Sequence, residues 1–455
     1  MLFGNLRKDK KRSMSELVTT RPTNMERVAW TVVSLSFFLF CSITLTGTLA
    51  IYAFLFESSL PMEVIVQVGR GTAVITSSDF SERGVRFQED ITGRTATIST
   101  DSQSQSTLSF RFGDADKTLF ASVNLKNSTD VRLSWATFPR FSWSRQVYSV
   151  GLRDFRGRAD VLVLNEQPLV LDLQTARGEQ VYLSKRGRYT IEASDTRVRV
   201  ITYAGEAVLL GVSPANHRLV TAGQEAVLFA GRAEPVVSPS RPNLLENSLF
   251  VLGDFSSQEQ NALPERWGCT NTQDALPRGT YQVSAWEGWG GLRLARAEGA
   301  NSHGETRCQQ RFSEVGLDVS GYTYLQLEAT FLINYQSLSD CGIKGSECPL
   351  MLRIAYEDSN GARQEWIQGF YYATNTSVNY PKRCETCLQD HRQINEKVWY
   401  SYETGNLFSV IPTSSRPLRI TSVEFYASGH QYDVFVSDVA LFGGYVDAVP
   451  DVSGQ

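Results

Sequence analysis

The longest apolar stretch of the chain lies near its N-terminus. Residues 28–56 contain no Asp, Glu, Lys or Arg. About 20 helical residues cross a bilayer core, so this stretch is long enough to span one. A cleaved signal peptide usually has a shorter apolar core, about 7–15 residues, that ends in small residues. The pattern therefore predicts one transmembrane helix over 28–56.

After residue 57 the hydrophobic pattern changes to short alternating segments. Every odd position from 325 to 335 is apolar and most even positions are polar, which is typical of a strand with one buried face. The segments 108–112, 189–200 and 350–356 repeat the alternation, and turn sequences such as 358–361 separate them. The fold class predicted for the chain is mainly β, with one N-terminal helix.

Charge sets the predicted orientation of the helix. Residues 1–27 carry seven basic and three acidic side chains, which leaves 37 basic and 45 acidic ones for the rest, a net charge of -8. Basic flanks stay on the cytoplasmic side, so we expect a cytoplasmic tail over 1–27 and an extracytoplasmic remainder in contact with the membrane lipid only through the helix. The acidic bulk argues against nucleic acid as a partner.

A proline-rich stretch divides the extracytoplasmic part. Residues 233–242 hold three prolines, which favour an extended spacer. We therefore predict one β domain over 64–232, a second over 243–446 and a tail over 447–455. A softer division near 140–158, where aromatic residues lie among arginines, is interpreted as a seam between domains or a ligand surface.

The cysteines favour an oxidising compartment. One cysteine, Cys41, falls in the predicted helix, and the other six fall after the proline-rich stretch. An even number in one extracytoplasmic domain predicts disulfides of unknown connectivity, and a zinc site is the alternative because Cys384 and Cys387 have ligand spacing. We predict disulfides and no metal. The six candidates are Cys269, Cys308, Cys341, Cys348, Cys384 and Cys387.

Two groups of motifs in the first domain resemble the FecR-type periplasmic β domain. They are the stretches 68–74, 94–101 and 106–110, and then 187–191, 196–200, 204–208 and 222–227. The resemblance implies a membrane protein with an N-terminal anchor and an outer β domain that senses or scaffolds. FecR-type signalling also needs a longer cytoplasmic region than 27 residues supply, so the resemblance favours the fold over the signalling role.

The second domain resembles the galactose-binding-like jelly roll of bacterial carbohydrate-binding modules. The resemblance rests on an opening at 243–250 and 263–267, and on the segments 318–322, 366–371 and 434–441; it departs at Ser248, where the family usually has glycine. It implies a jelly-roll β-sandwich that binds sugars or serves as an interaction module.

Sugar binding requires exposed aromatic faces with polar groups beside them, and the glycine-flanked segment 286–291 has both. Most aromatic residues of a β-sandwich belong to its core, which is the alternative for each candidate. The predicted ligand residues are Trp286, Glu287, Trp289, Trp366, Tyr371 and Trp399.

Catalytic motifs are absent from the sequence. Four scattered histidines, no Gly-x-Ser-x-Gly and no phosphate-binding loop predict a protein without catalytic residues or cofactors. A glycoside-active function, which needs only two carboxylates distant in sequence, is the alternative. We expect a non-catalytic cell-surface protein that binds envelope or extracellular glycan through the jelly roll. The second hypothesis is a structural scaffold subunit of an envelope protein complex.

Overall fold

The apolar run forms one long helix, α1 (Asn24–Phe56). A computed structural model describes residues 24–113, 118–164, 169–211, 216–252, 263–271 and 276–445. Most of the predicted cytoplasmic tail and the whole tail predicted over 447–455 therefore lie outside the described residues. Within the described ranges, α1 is the one helix long and apolar enough to cross a membrane.

The side chains of α1 suit an apolar solvent. Its large apolar residues are exposed along the whole helix. Its threonine hydroxyls donate to carbonyls one turn earlier, as Thr44 does to Phe40 at 2.9 Å and Thr48 to Thr44 at 2.8 Å. These bonds satisfy the hydroxyl donors without water, which a bilayer core requires.

The first β part, called the N-terminal β-unit, contains eighteen described strands that form one open, branched hydrogen-bonded ladder. They are β1 (Ser59–Pro61), β2 (Glu63–Arg70), β3 (Ala73–Ser77), β4 (Phe80–Val85), β5 (Gln88–Asp90), β6 (Ala96–Thr100), β7 (Gln105–Phe112), β8 (Thr118–Leu125), β9 (Asp130–Pro139), β10 (Tyr148–Val163), β11 (Leu169–Thr175), β12 (Gln180–Leu183), β13 (Gly187–Ala193), β14 (Arg197–Ala204), β15 (Glu206–Leu210), β16 (His217–Thr221), β17 (Gln224–Phe229) and β18 (Val236–Pro239).

Strand β10 joins the two halves of this ladder. Its first half pairs with β9 and β11, and its second half pairs with β8 and β13. The change occurs at Asp154 and Gly157, which both have positive φ. A Cβ atom at Gly157 would lie 2.5 Å from the Thr129 hydroxyl, so only glycine fits there. β10 covers residues 148–163 and so includes most of the stretch 140–158, where the sequence predicts a softer division.

Part of the proline-rich stretch predicted as a spacer forms a strand. Residues Val236–Pro239 form β18, which pairs with β17. Its one proline, Pro239, is tolerated because β18 is an edge strand with one partner and needs no ladder bond on its outer side.

The second β part, called the C-terminal β-unit, is a sandwich of two sheets. One has the order β19-β22-β29-β25-β26-β27, with β23 on β29, and the other has the order β20-β21-β30-β24-β28. The strands are β19 (Gly268–Asn271), β20 (Thr280–Trp286), β21 (Trp289–Arg296), β22 (Gly304–Arg311), β23 (Leu317–Asp318), β24 (Tyr324–Gln336), β25 (Leu350–Asp358), β26 (Arg363–Tyr371), β27 (Arg392–Gln393), β28 (Tyr400–Glu403), β29 (Pro417–Gly429) and β30 (Tyr432–Gly444); a short helix, α2 (Leu407–Val410), follows β28. The predicted fold class, mainly β with one N-terminal helix, is confirmed.

The alternation in β24 is confirmed, but its polar face is not solvated. Leu325, Leu327 and Phe331 fill the core between the two sheets, as predicted. Gln326 and Glu328, on the opposite face, are also buried. A polar strand face loses its solvent only when another surface covers it, and here the N-terminal β-unit does. The two β-units form one compact body.

Three disulfides close the C-terminal β-unit, as predicted. Cys269 pairs with Cys308, Cys341 with Cys348, and Cys384 with Cys387. The first bond joins positions directly opposite each other on β19 and β22. The other two close short loops.

The three disulfides are expected to contribute unequally to stability. The entropy that a crosslink removes from the unfolded chain grows with loop length, and the sequence separations are 39 residues for Cys269–Cys308 and 3 for Cys384–Cys387. Replacing Cys269 and Cys308 with serine should cost about 2 kcal/mol more than the same change at Cys384 and Cys387. Urea unfolding of the full chain in detergent, followed by circular dichroism, measures both, and equal losses would contradict the expectation.

Candidate functional site at the junction of the two β-units

Two of the predicted ligand residues lie buried between the β-units. The Trp289 and Trp399 rings stack with centroids 4.7 Å apart and are 4% and 3% exposed. They belong to one apolar cluster with Leu119 and Leu162 of the N-terminal β-unit. The Trp289 indole N–H donates to the Ser437 hydroxyl at 2.8 Å. Both indoles are therefore packing residues of this contact, which we call the junction.

The turn between β20 and β21 also belongs to the junction. Glu287 and Gly288 both have positive φ, which suits the two-residue hairpin turn they form. The Glu287 carboxylate accepts a hydrogen bond at 2.5 Å from the Arg111 guanidinium of the N-terminal β-unit. Trp286 is half-buried and its ring lies 5.7 Å from that of Phe435. Of the two indoles expected to be exposed on this loop, Trp289 is buried and Trp286 is half-buried, whereas Glu287 and Gly288 are exposed.

The remaining two candidates lie away from the junction turn. Trp366 is fully buried in the sandwich core, and Tyr371 packs in a cluster with the paired cysteines 341, 348, 384 and 387. The structure thus brings together Trp286, Glu287, Trp289 and Trp399, and it separates Trp366 and Tyr371 from them.

A buried ionic cluster lies at the junction, and the sequence pattern does not reveal it. The Arg188 guanidinium donates to the Glu328 carboxylate at 3.1 Å and lies 3.4 Å from that of Asp438. Arg158 lies 2.9 Å from the Glu403 carboxylate and 3.4 Å from that of Glu328. The arginines come from the N-terminal β-unit and the acids from the C-terminal β-unit, so these pairs cross the junction.

Further charged residues of the N-terminal β-unit lie beside these arginines. The Asp160 carboxylate pairs with the Lys126 ammonium at 2.8 Å and accepts a hydrogen bond from the Thr190 hydroxyl at 2.6 Å. Although burial opposes its charge, Lys126 and Arg158 hold the pKa of Asp160 below its usual range. Asp160 therefore stays ionised in the folded protein.

The acids outnumber the bases in this cluster. Three cations (Lys126, Arg158 and Arg188) lie within ion-pair distance of five described carboxylates (Asp160, Glu192, Glu328, Glu403 and Asp438), of which Glu192 is shared with Arg199. Burial, opposed by Arg188, raises the pKa of both Glu328 and Asp438. A cavity of about 60 Å³ lies beside Glu328 and Arg158 and is also lined by Tyr203 and Tyr324.

The excess of acid predicts a measurable pH dependence at Glu328. The pKa of Glu328 in the folded protein is raised above the ordinary 4.5. The protonated side chain therefore stabilises the fold below about pH 4.5, and this contribution to the free energy of unfolding is lost as pH rises through the raised pKa. Glu328→Gln removes this loss. The unfolding free energy of E328Q relative to the wild type should rise with pH above about 4.5, by at most about 1.4 kcal/mol per pH unit.

Urea unfolding at a series of pH values tests this expectation. Asn395→Ala, a junction substitution that removes no titrating group, is the control and should differ from the wild type by a constant amount. A difference for E328Q that also stays constant with pH would show that Glu328 is ionised in the folded protein over the whole range.

Polar contacts at Asn395 also join the two β-units. The Asn395 side-chain amide donates to the carbonyls of Val68 and Arg86, both at 2.7 Å, and its backbone N–H donates to that of Gly69 at 3.0 Å. A Cβ atom at Gly69 would lie 3.2 Å from the Tyr400 ring, so the backbones approach closely here.

An open polar cleft lies beside these contacts. Its volume is about 570 Å³, and its lining includes Arg70 of the N-terminal β-unit with Asp390, Arg392, Gln393 and Asn395 of the C-terminal β-unit. The lining offers guanidinium and amide donors together with a carboxylate acceptor. This set can hydrogen-bond a polar ligand that carries both donors and acceptors.

His391, at the edge of the cleft, has a packing role. One ring nitrogen accepts from the Gly369 backbone N–H at 2.9 Å, and the other donates to the Gly345 carbonyl at 2.7 Å. Burial lowers its pKa. The sulfur atoms of Cys341–Cys348 and Cys384–Cys387 all lie within 4.8 Å of this ring. Since disulfide sulfurs are not thiolate ligands and both nitrogens are used, His391 links two stapled loops as a neutral side chain.

Comparison with known proteins gives partial likenesses only. No family profile and no curated protein matches the chain. A crystal structure assigned as an anti-sigma factor from Parabacteroides distasonis is 15% identical, with a TM-score of 0.23, and the match covers 32% of this chain and 60% of that one.

Two carbohydrate-binding domains are similar to this chain at the same level. The family 11 carbohydrate-binding module of a cellulosomal cellulase from Clostridium thermocellum is 13% identical, covers 45% of this chain and 96% of the module, and has a TM-score of 0.25. A xylan-binding domain from Paenibacillus barcinonensis is 11% identical, covers 46% of this chain and 98% of the domain, and has a TM-score of 0.26. Scores this low carry no argument about function.

Proposed function

We propose that the protein is a membrane-anchored, non-catalytic scaffold of the cell envelope, in which both β-units act as one interaction body. The observation that carries this proposal is the burial of Trp289 and Trp399 against Leu162 of the N-terminal β-unit. These two indoles could otherwise stack on a sugar ring, but here they pack between the two β-units and hold them together. A protein whose domains are joined in this way is suited to present fixed surfaces to partners.

The anchor is α1. Its exposed apolar surface is stable only in an apolar solvent, and its length exceeds the about 20 residues that a bilayer requires. The basic residues before it favour a cytoplasmic N-terminus and an extracytoplasmic body.

The disulfide-stapled loops of the C-terminal β-unit are the proposed partner contact. Ile343 is 76% exposed, in the loop closed by Cys341–Cys348, and Leu388 is 40% exposed, directly after Cys387. The two loops pack on each other through the His391–Gly345 hydrogen bond. Crosslinked loops lose little entropy on binding, so apolar side chains fixed on them favour association with a protein surface.

Purification of the full chain from its native membrane in mild detergent tests the scaffold. We expect a protein to co-purify in stoichiometric amount and to be lost from the double variant Ile343→Asp/Leu388→Asp. The matched control is Val315→Asp, at a side chain 75% exposed outside these loops, which should keep the partner. A wild-type chain that purifies as a lone monomer after crosslinking in the membrane would contradict the proposal.

Glycan binding is the second candidate function, and the polar cleft favours it. Arg70, Asp390 and Gln393 offer the hydrogen-bonding groups that sugar hydroxyls need. A polysaccharide pull-down with the full chain in detergent tests this role, with Gln393→Ala as the cleft variant and Val315→Asp as the control. Retention by a cell-wall or storage polymer that Q393A weakens would support it, and no retention by any polymer would count against it.

A further inference from the structure

The loop formed by residues 140–145 is bound to the C-terminal end of α1. The Phe56 carbonyl accepts from the Ser144 hydroxyl at 2.7 Å and from the Arg145 backbone N–H at 3.3 Å. The Arg140 backbone N–H donates to the Ser58 carbonyl at 3.2 Å. Carbonyls in the last turn of a helix have no partner within the helix, so this loop acts as the cap of α1. It lies level with the end of the apolar run.

Aromatic rings of the loop pack against an aromatic ring at the C-terminal end of α1. The Phe141 ring lies 5.6 Å from that of Phe54, and the Trp143 ring stacks on Phe141 at 5.0 Å with an interplanar angle of 10°. Tyr52 contacts Phe56 on the same helical end at 5.0 Å. Trp143 nevertheless remains 60% exposed. An exposed indole beside the last turn of an apolar helix is typical of the boundary between membrane and water.

Two arginines border this aromatic group. The Arg140 guanidinium lies 5.2 Å from the centre of the Phe54 ring, and Arg145 is exposed at the other end of the loop. Among the described residues, no carboxylate lies within ion-pair distance of either one. Exposed guanidinium groups at this level have the geometry that pairs with phosphate.

We propose that the 140–145 loop binds the phospholipid headgroups of the leaflet at the C-terminal end of α1. Trp143 and Phe141 lie among the glycerol groups and upper acyl chains, and Arg140 and Arg145 pair with lipid phosphates. The sequence pattern suggested this loop as a seam between domains or a ligand surface. In the proposal it is a second lipid contact, which holds the C-terminal end of α1 at a constant depth in the membrane. This inference rests on the membrane anchoring proposed above.

Quenching of tryptophan fluorescence by brominated phospholipids tests the proposal. The full chain is placed in lipid nanodiscs whose acyl chains carry bromine near the headgroup or near the bilayer centre, with unbrominated lipid as the reference. The signal of Trp143 is the difference between the wild type and Trp143→Phe. We expect the shallow bromines to quench it more strongly than the deep ones.

Trp30 in α1 provides the matched control, measured with Trp30→Phe. Quenching of Trp30 together with unquenched Trp143 would overturn the loop inference and leave the membrane anchor intact. Absence of quenching at both positions would overturn the anchor itself.

The phosphate contact is tested by Arg140→Gln/Arg145→Gln in the same nanodiscs. Shallow quenching of Trp143 should fall, because the loop loses both groups that pair with lipid phosphates, while that of Trp30 is unchanged. Unchanged quenching of Trp143 in the double variant would overturn the role of the arginines.

Discussion

Replacing Arg188 with glutamine is expected to lower the free energy of unfolding by roughly 3–5 kcal/mol. Arg188 is buried and pairs with the carboxylates of Glu328 at 3.1 Å and Asp438 at 3.4 Å across the junction. Its removal leaves two carboxylates in a region that already holds more acid than base. Breaking a buried pair by removing one partner costs this much because the remaining charge has lost both water and its counter-ion.

The control for this experiment is Arg218→Gln. Arg218 pairs with Glu234, and both side chains are exposed, so its loss should cost below about 1 kcal/mol. The double variant Arg188→Gln/Glu328→Gln should recover part of the stability, because it removes one unpaired acid. Urea unfolding in detergent measures all three. A loss at Arg188 no larger than that at Arg218 would show that the junction opens and hydrates readily.

Replacing Trp289 with alanine is expected to cost a similar roughly 3–5 kcal/mol. The substitution removes the stack on Trp399 and the hydrogen bond to Ser437, and it leaves a cavity between the β-units. Circular dichroism should follow the unfolding, because the substitution also removes a fluorophore. The control is Trp143→Ala, at an exposed ring, which should cost less than about 1 kcal/mol in detergent.

The Trp289 variant also tests whether Trp289 itself contacts a sugar. In the scaffold proposal, W289A loses stability and any partner that depends on the joined units. If W289A instead unfolds at the wild-type urea concentration and loses retention on a polysaccharide, Trp289 acts as a sugar contact and the junction is open in solution.

Much of the fold could be predicted because its signals are local. A run of 29 residues without charged side chains indicates a helix suited to a membrane by its length alone. The period of two along 325–335 indicates a strand, since adjacent side chains point to opposite faces. Six cysteines confined to the part of the chain after the proline-rich stretch predict disulfides, and the predicted set is the set that pairs.

The candidate site could not be predicted in the same way. Glu328 occupies a polar position of an alternating strand, and a solvated position has the same sequence signature as one covered by another unit. Trp286 and Trp289 flank a Glu-Gly turn, which is common in exposed hairpins. The cluster that buries Trp289 includes Leu162, more than 120 residues earlier in the chain. Leu332, an apolar residue at an even position of β24, belongs to the junction cluster.

By itself, the sequence determined the apolar helix, the predominance of strands and the set of cysteines that form disulfides. Only the tertiary structure decided the cysteine pairing, the burial of the candidate tryptophans, the ionic cluster and the packing of residues 140–145 on α1. The physical reason is that periodicity and composition report the two faces of one element. The solvent, partner or counter-charge that meets each face depends on segments distant in the chain.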